Sequence, residues 1–332
     1  MTTNADETRR RALDAIAAVV ASGRRFVIAA HVKPDGDSIG SQLALALALR
    51  ALGKEARVVS RDTVPPPLQS LPGVGDIEVR TDVAGEHDAA FVLECGDLER
   101  TGLTGLDRHV LVNIDHHPGN TAYGAVNWHD GAAAACGEMV FDVIERLGVP
   151  LTADMATHLY VAILTDTGSF HYSSISPGTF DICRQLLEAG VDPVAVARTV
   201  YDSNTVGRLR LFGAVLSTLE VDSTGRRAVI RLDRETARAT GGAPDDTEGL
   251  VNIPLTVPEI QAVAFFRDGD PGKLRVSFRS KGAIDVGALA SSLGGGGHRN
   301  AAGCTLTATL EEARHTVLPM LDGAIDRGTA DR

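Results

Sequence analysis

The sequence predicts an α/β protein in two parts. A larger N-terminal, mainly parallel sheet flanked by helices is followed by a helical linker and a smaller C-terminal α/β domain. Three observations predict this. Short apolar strand-like runs alternate with helix-period segments through the first half of the chain. The strongest runs end in clusters of His, Asp and Glu, where an open α/β sheet places its chemistry. After Val221 the strand signals cluster, and a glycine run precedes the last strand and helix. At 332 residues the chain exceeds one typical core, so two domains are expected. The boundaries read as 1–205 for the first domain, 206–220 for a linker helix and 221–332 for the second.

The elements follow in order. Phe26 to Ala30 is a buried strand, and Ser38 to Leu52 a helix stopped by Gly53, with Ser38 as its cap. Glu55 to Ser60, Ile77 to Arg80, Ala89 to Glu94 and His109 to Asp115 are further strands. This rhythm implies helices on both faces of the sheet. Pro65-Pro66-Pro67 is a stiff local connection. Helices follow at Ala133 to Leu147, from Thr152 as N-cap to Leu164, Thr179 to Ala189, Pro193 to Tyr201 and Gly207 to Leu219. The last of these leads between the domains. In the second domain Arg227 to Leu232, Gln261 to Arg267 and Leu274 to Arg279 are strands. Asp285 to Leu293 is a helix with Val286, Leu289, Ala290 and Leu293 on one side. A strand near Cys304 to Leu306 precedes a helix from Leu310 to Ile325.

Composition narrows the function. The formal charge of −11 argues against a broad grip on long nucleic acid, and leaves short oligonucleotides open. Cys95, Cys136, Cys183 and Cys304 are scattered without zinc-knuckle or redox spacing, so reduced thiols and a cytoplasmic location are expected. The segment Met1 to Arg25 has no cleavage pattern and reads as no signal peptide. Leu43 to Leu49 is too short to cross a bilayer, so no membrane partner is expected.

Five clusters carry the chemistry. His31, Asp35 and Asp37 follow the first strand, where Pro34 and Gly36 force a tight path. Turn residues alone would explain part of that pattern. Glu94 is the first polar residue after an apolar strand, with Asp97 three residues on. Asp115-His116-His117 closes the best strand, and two imidazoles beside a carboxylate there are hard to explain by packing. Asp166 ends an apolar helix, where a carboxylate opposes the helix dipole and a cation would offset the cost. Gly294 to Gly297 expose backbone N–H groups ahead of His298, Arg299 and Asn300; four glycines also suit a hinge. Oxygen and nitrogen ligands without thiolate point away from structural zinc and favour Mn²⁺, with Mg²⁺ or Co²⁺ as alternatives.

In this order these motifs resemble the DHH phosphoesterase family, named for the triplet found here at Asp115-His116-His117. Gly295-Gly296-Gly297-His298 resembles the signature of its associated C-terminal domain. The compact layout is similar to the branch of NrnA-type oligoribonucleases (nanoRNases) that also dephosphorylate pAp. The resemblance implies that His31 and Asp35 hold one metal and that Asp37, His116 and Asp166 hold the other. Glu94 would bridge both, a position at which the family usually shows aspartate; Asp97 is the alternative bridge. His117 would contact the scissile phosphate, and Asp115 would orient a histidine. Gly295, Gly296, Gly297 and His298 would bind the substrate's nucleotide or far phosphate, with Arg279, Arg299 and Asn300 assisting. It also implies a homodimer.

The expected reaction is hydrolysis of short oligoribonucleotides to mononucleotides and of pAp to AMP. Two divalent ions, about 3.5–4 Å apart, would activate water for in-line attack with no covalent intermediate. The second domain would close over the first and favour short substrates. Phe170, His171 and Tyr172, beside Asp166, are candidates for base stacking. Within the enzyme class the rival is hydrolysis of cyclic dinucleotides or their linear dinucleotide products. From another class, a degenerate site could sense nucleotides without cleaving them; Glu94 keeps that reading open.

Overall fold

The computed structural model describes residues 4–171, 175–202, 204–241, 247 and 249–330. Tyr172 therefore lies outside the described residues. The chain divides into two compact units, Met1–Ser203 and Asn204–Arg332.

The first unit begins with helix α1 (Asn4–Ser22), strand β1 (Arg25–Ala29) and helix α2 (Gly36–Ala51). Strands β2 (Glu55–Ser60), β3 (Ile77–Val79), β4 (Ala89–Leu93), β5 (Val110–Asp115) and β6 (Val126–His129) follow. Helices α3 (Cys136–Arg146), α4 (Ala153–Asp166), α5 (Pro177–Glu188) and α6 (Pro193–Tyr201) complete it. The six strands are all parallel, in the order β3-β2-β1-β4-β5-β6. The chain order reverses between β1 and β4, and such a switch point opens a crevice at the strands' C-terminal ends. β6 was not expected from the sequence: Val-Asn-Trp-His is too short and mixed to stand out from its loop.

Side-chain alternation splits the unit's core in two. Phe26, Ile28, Phe91, Leu93, Val112 and Ile114 face a large cluster shared with α1 to α6. Val27, Ala29, Val59, Ala90 and Val92 face the other way, against Val83, Leu103 and Leu106. Those three come from loops and a 3₁₀ turn, not from α-helices. The expectation of helices on both faces is thus corrected. The link from β4 to β5 holds only the 3₁₀ turns Leu98–Thr101 and Leu106–Arg108, too short to form a crossover helix.

Helix α2 also corrects a detail. Its N-cap is Asp35, whose side chain accepts from Ser38 N at 2.9 Å, while Ser38 Oγ accepts from Asp35 N at 2.8 Å. Ser38 is the third helical residue of a capping box, not the cap itself.

The second unit starts with helix α7 (Val206–Leu216), strands β7 (Glu220–Val221) and β8 (Arg227–Leu232) and helix α8 (Arg234–Thr240). Strands β9 (Ala262–Asp268) and β10 (Leu274–Ser280), helix α9 (Val286–Ser292), strands β11 (Gly296–His298) and β12 (Ala301–Leu306) and helix α10 (Leu310–Ala330) follow. Its mixed sheet runs β11-β12-β10-β9-β8-β7. Only β8 and β9 pair in parallel. Leu211 and Val215 of α7 belong to this unit's core, together with Ile230 and Phe265.

Candidate metal centre

The site forms where β1, β4 and β5 end. Backbone groups aim the histidines. His31 Nδ1 lies 2.7 Å from Val32 O and His116 Nδ1 lies 3.0 Å from Ala133 O. A carbonyl only accepts, so each ring donates through Nδ1 and turns Nε2 inward, the orientation that metal-ligating imidazoles adopt. Asp37 is fully buried in the first turn of α2. Its Oδ2 accepts from Cys136 N at 2.6 Å and its Oδ1 from Gly137 N and Ser41 Oγ, both at 2.9 Å. The N-terminus of α3 thus holds that carboxylate by exposed N–H groups and dipole.

Glu94 follows β4 with φ of +54°, a left-handed backbone rare for a non-glycine residue. The turn brings its side chain to 1% exposure beside His116. His116 Nε2 lies 3.2 Å from Glu94 Oε1, 3.4 Å from Asp166 Oδ2 and 3.9 Å from Asp37 Oδ2. His117 Nδ1 is 2.9 Å from Asp115 Oδ1 and 3.4 Å from Glu94 Oε1. Ligand atoms of Asp37, Glu94, His116 and Asp166 all fall within 4.8 Å of one another, and Glu94, His116 and His117 form a second such group. His31 and Asp35 pair separately, Nε2 to Oδ2 at 3.6 Å, and stand outside both groups. The His31 and His117 rings are 6.4 Å apart by centroid. Asp97 is outside as well: its Oδ1 caps a 3₁₀ turn by accepting from Glu99 N at 2.9 Å.

The electrostatics are those of crowded acids. Burial, then the Asp37 charge, holds the Glu94 carboxyl well above its usual range. Burial likewise raises Asp37. Asp166 is pushed up to about 7 by burial and then by the Asp37 charge. Burial disfavours charge on His116, but the hydrogen bond and charge of Glu94, then the Asp37 charge, outweigh it and lift the ring to about 10. Asp35 is the exception: burial raises it, yet the His31 hydrogen bond and charge bring it down to about 2. Glu94 Oε2 is buried and has no hydrogen-bond partner among the described residues. A buried carboxylate oxygen without a donor is costly. Clustered carboxylates with an inward imidazole nitrogen fit a divalent cation, which supplies the missing positive charge.

The second unit's predicted residues are differently engaged. The glycine run is not an open loop: Gly296, Gly297 and His298 form β11, paired with Gly303, Ala302 and Ala301 of β12. A Cβ at Gly295 would lie 2.2 Å from Gly303 O, and one at Gly297 (φ +141°) would lie 2.5 Å from Ala301 O. Both glycines are required by strand packing, whereas a Cβ at Gly296 would meet nothing within 4 Å among the described residues. Arg299 is exposed. Asn300 Nδ2 donates within the unit to Ser280 Oγ and Gly282 O at 3.0 Å and to Ile284 O at 3.2 Å. Arg279 Nη1 donates to Phe278 O at 2.9 Å.

Sequence reasoning read Gly36 only as a turn residue and missed Gly40 and Gly137, the other glycines that bring the ligands together. A Cβ at Gly36 would lie 2.4 Å from Thr165 Oγ1, one at Gly40 2.3 Å from His158 O, and one at Gly137 2.6 Å from Ala162 Cβ. These three let α2 and α3 close onto α4, which places Asp37 beside Asp166. The four-residue spacing of Gly36 and Gly40 on one helical face was the available signal.

Comparison with known proteins locates this arrangement. Residues 25–163 match the family described as "DHH family, N-terminal domain", and residues 236–325 match the "DHHA1 domain". The bifunctional oligoribonuclease and PAP phosphatase NrnA of Thermus thermophilus is 35% identical over 295 residues, covering 88% of this chain and 87% of that protein. The NrnA protein of Bacillus subtilis is 26% identical over 288 residues, covering 85% and 89%. An exopolyphosphatase-related protein from Bacteroides fragilis superposes with a TM-score of 0.87 at 29% identity, covering 95% of this chain and 96% of its own. Fold, site and relatives together define a metal-dependent hydrolase of phosphoester bonds. More narrowly, the chain belongs to the DHH family.

Proposed function

We propose that this enzyme hydrolyses short oligoribonucleotides to mononucleotides and pAp to AMP, using two divalent ions, Mn²⁺ in preference to Mg²⁺. The observation that carries the reading is the convergence of Asp37, Glu94, His116 and Asp166 within 4.8 Å at the sheet's switch point. The relatives named oligoribonuclease and PAP phosphatase supply the substrate class. Asp37, His116 and Asp166 would hold one ion and His31 and Asp35 the other, with the Glu94 carboxylate, whose Oε2 has no partner among the described residues, as a further ligand. Bound ions of this kind supply Lewis-acid polarisation of a phosphoryl oxygen and a water of lowered pKa.

The chain's own groups do the rest. His117 is 27% exposed and donates Nδ1–H to Asp115, so Nε2 is the ring nitrogen left to act on the scissile phosphate, and as the Nε2–H of an imidazolium it would offset charge developing there. Gly296 in the second unit has room for a ligand against its backbone, and the exposed Arg299 offers a fork for phosphate. The four cysteines are free and buried, which supports a reducing, cytoplasmic setting. Among the described residues no helix is long and apolar enough to cross a membrane.

A panel of pAp, linear pApA, a short RNA oligomer and a long RNA, each with Mn²⁺ or Mg²⁺, tests the proposal. Turnover is expected on the first three with Mn²⁺ and little on the last. Asp166→Ala and His116→Ala should each abolish hydrolysis while circular dichroism stays native. Unchanged turnover in both variants would refute the site assignment.

A further inference from the structure

Asn113 is fully buried in β5, on the sheet face away from the helices, where β1 and β4 present the apolar Val27, Ala29, Ala90 and Val92. Packing alone gives no reason for an amide there. Its hydrogen bonds do. The two hydrogens of Asn113 Nδ2 are shared among Tyr123 Oη at 2.9 Å, Cys95 O at 3.1 Å and Val92 O at 3.2 Å, and Asn113 Oδ1 accepts from Asn120 Nδ2 at 2.8 Å. Tyr123 Oη donates to Cys95 O at 2.9 Å. Asn120 Nδ2 also donates to Asp115 Oδ2 at 2.6 Å, while Asn120 Oδ1 accepts from Ala122 N at 2.8 Å.

The direction of every bond in this chain is fixed. Cys95 O can only accept, so Tyr123 donates to it and accepts from Asn113. Ala122 N can only donate, so Asn120 turns its oxygen there and its amide nitrogen toward Asn113 and Asp115. Flipping either amide would set like groups against each other. The ionised Asp115 carboxylate, fully buried, is left to accept through Oδ2 from Asn120 and through Oδ1 from His117 Nδ1. Both of its oxygens are committed, and it has no freedom to rotate.

We propose that Asn120, anchored by Asn113 and Tyr123, is a positioning residue: it locks the Asp115 carboxylate so that His117 holds its proton on Nδ1 and leaves Nε2 as the nitrogen that exchanges a proton at the reacting phosphate. This rests on the reading of His117 given above and adds the element that fixes its tautomer. Networks of this type act through the group they hold, without touching substrate or metal themselves.

Long-range ¹H–¹⁵N correlation spectra of the metal-free, histidine-labelled protein at about pH 8 read the tautomer directly, with His117→Gln to assign the signal. The wild type should show the Nδ1–H form at His117. Asn120→Ala should lose it to a mixture of both forms. The same variant should lower kcat about 10- to 100-fold, with KM and the calorimetric Kd for Mn²⁺ each changed by less than about threefold. Should Asn120→Ala fail to fold, Asn120→Asp keeps the shape and replaces the donor by an acceptor, and the same loss of tautomer is expected. Retention of the Nδ1–H form in the variant overturns the proposal. So does a kcat loss matched by an equal loss of Mn²⁺ affinity, which would make Asn120 a support of the metal site. The tautomer needs no substrate, so a wild type inactive on every phosphoester would sink the functional reading and leave this test standing.

Discussion

Replacing Gly40 by alanine isolates how the first unit builds its metal centre. In a helix interior, glycine-to-alanine normally gains up to about 1 kcal/mol through backbone entropy. Here the new Cβ would lie 2.3 Å from His158 O, 3.1 Å from Ala162 Cβ and 3.2 Å from Ala162 N. Ordinary contact begins near 3.4 Å, so α2 and α4 must part by about 1 Å at this point. Overpacking of that size costs about 1–3 kcal/mol, which exceeds the propensity gain. For a unit of this size the melting temperature should fall by about 2–10 °C. Asp37 sits three residues before Gly40 on α2 and Asp166 four residues after Ala162 on α4, so the same displacement separates two ligands. Metal sites tolerate only about 0.2 Å, so Mn²⁺ affinity should fall at least about tenfold. Scanning calorimetry of the metal-free protein and titration calorimetry with Mn²⁺ measure the two effects. Gly213→Ala is the control: it lies exposed in α7 with nothing within 4 Å of its Cβ, and should be neutral or slightly stabilising. A Gly40→Ala protein with unchanged melting and unchanged Mn²⁺ affinity would refute the argument that glycine contacts set the ligand spacing.

Further predictions follow from individual groups. Burial pushes the fully buried His158 imidazole from 6.5 down to about 4. Its neutral form is favoured by folding, so this stability is complete above pH 6.5 and is lost as pH falls through about 4, a change of about 3 kcal/mol. His158→Gln should flatten the stability-versus-pH curve over that window in urea melts, and an unaltered slope would contradict this. Gly297→Val should destabilise the protein through the Ala301 and Ala302 backbone, whereas Gly296→Val should leave melting unchanged and raise KM. Equal destabilisation by both would show that Gly296 also serves packing. Mn²⁺ at about 100 times its Kd should raise stability by about 2.7 kcal/mol, and Glu94→Gln should remove most of that gain. A full gain in Glu94→Gln would rule out its carboxylate as a ligand.

Much of the site was legible because a parallel sheet delivers the ends of its strands to one edge. Glu94 and His116-His117 each follow an apolar run, so the sequence alone indicated that they would meet, whereas His31, read in the same way, stands outside both groups. Asp166 was legible for a different reason, as an acid at a helix end where only a cation relieves it. Short-range rules read these features, since a strand's period and a helix's polarity need only a few neighbouring residues. Gly296 to His298 were not read as a strand because their partner, β12, is recognised only through pairing.

What the sequence by itself determined is the alternation of elements and the identity of the acids and imidazoles offered for chemistry. Tertiary structure decided which of them converge: Asp37, Glu94, His116 and Asp166 in one group, with His31 and Asp35 apart and Asp97 spent on a cap. It also decided that three glycines let the helices close, and that two asparagines and a tyrosine hold the Asp115 carboxylate. The physical reason is range. Local propensity follows from neighbours along the chain, whereas ligand spacing, amide direction and close helix contact arise between residues far apart in sequence, where sub-ångström packing sets the outcome.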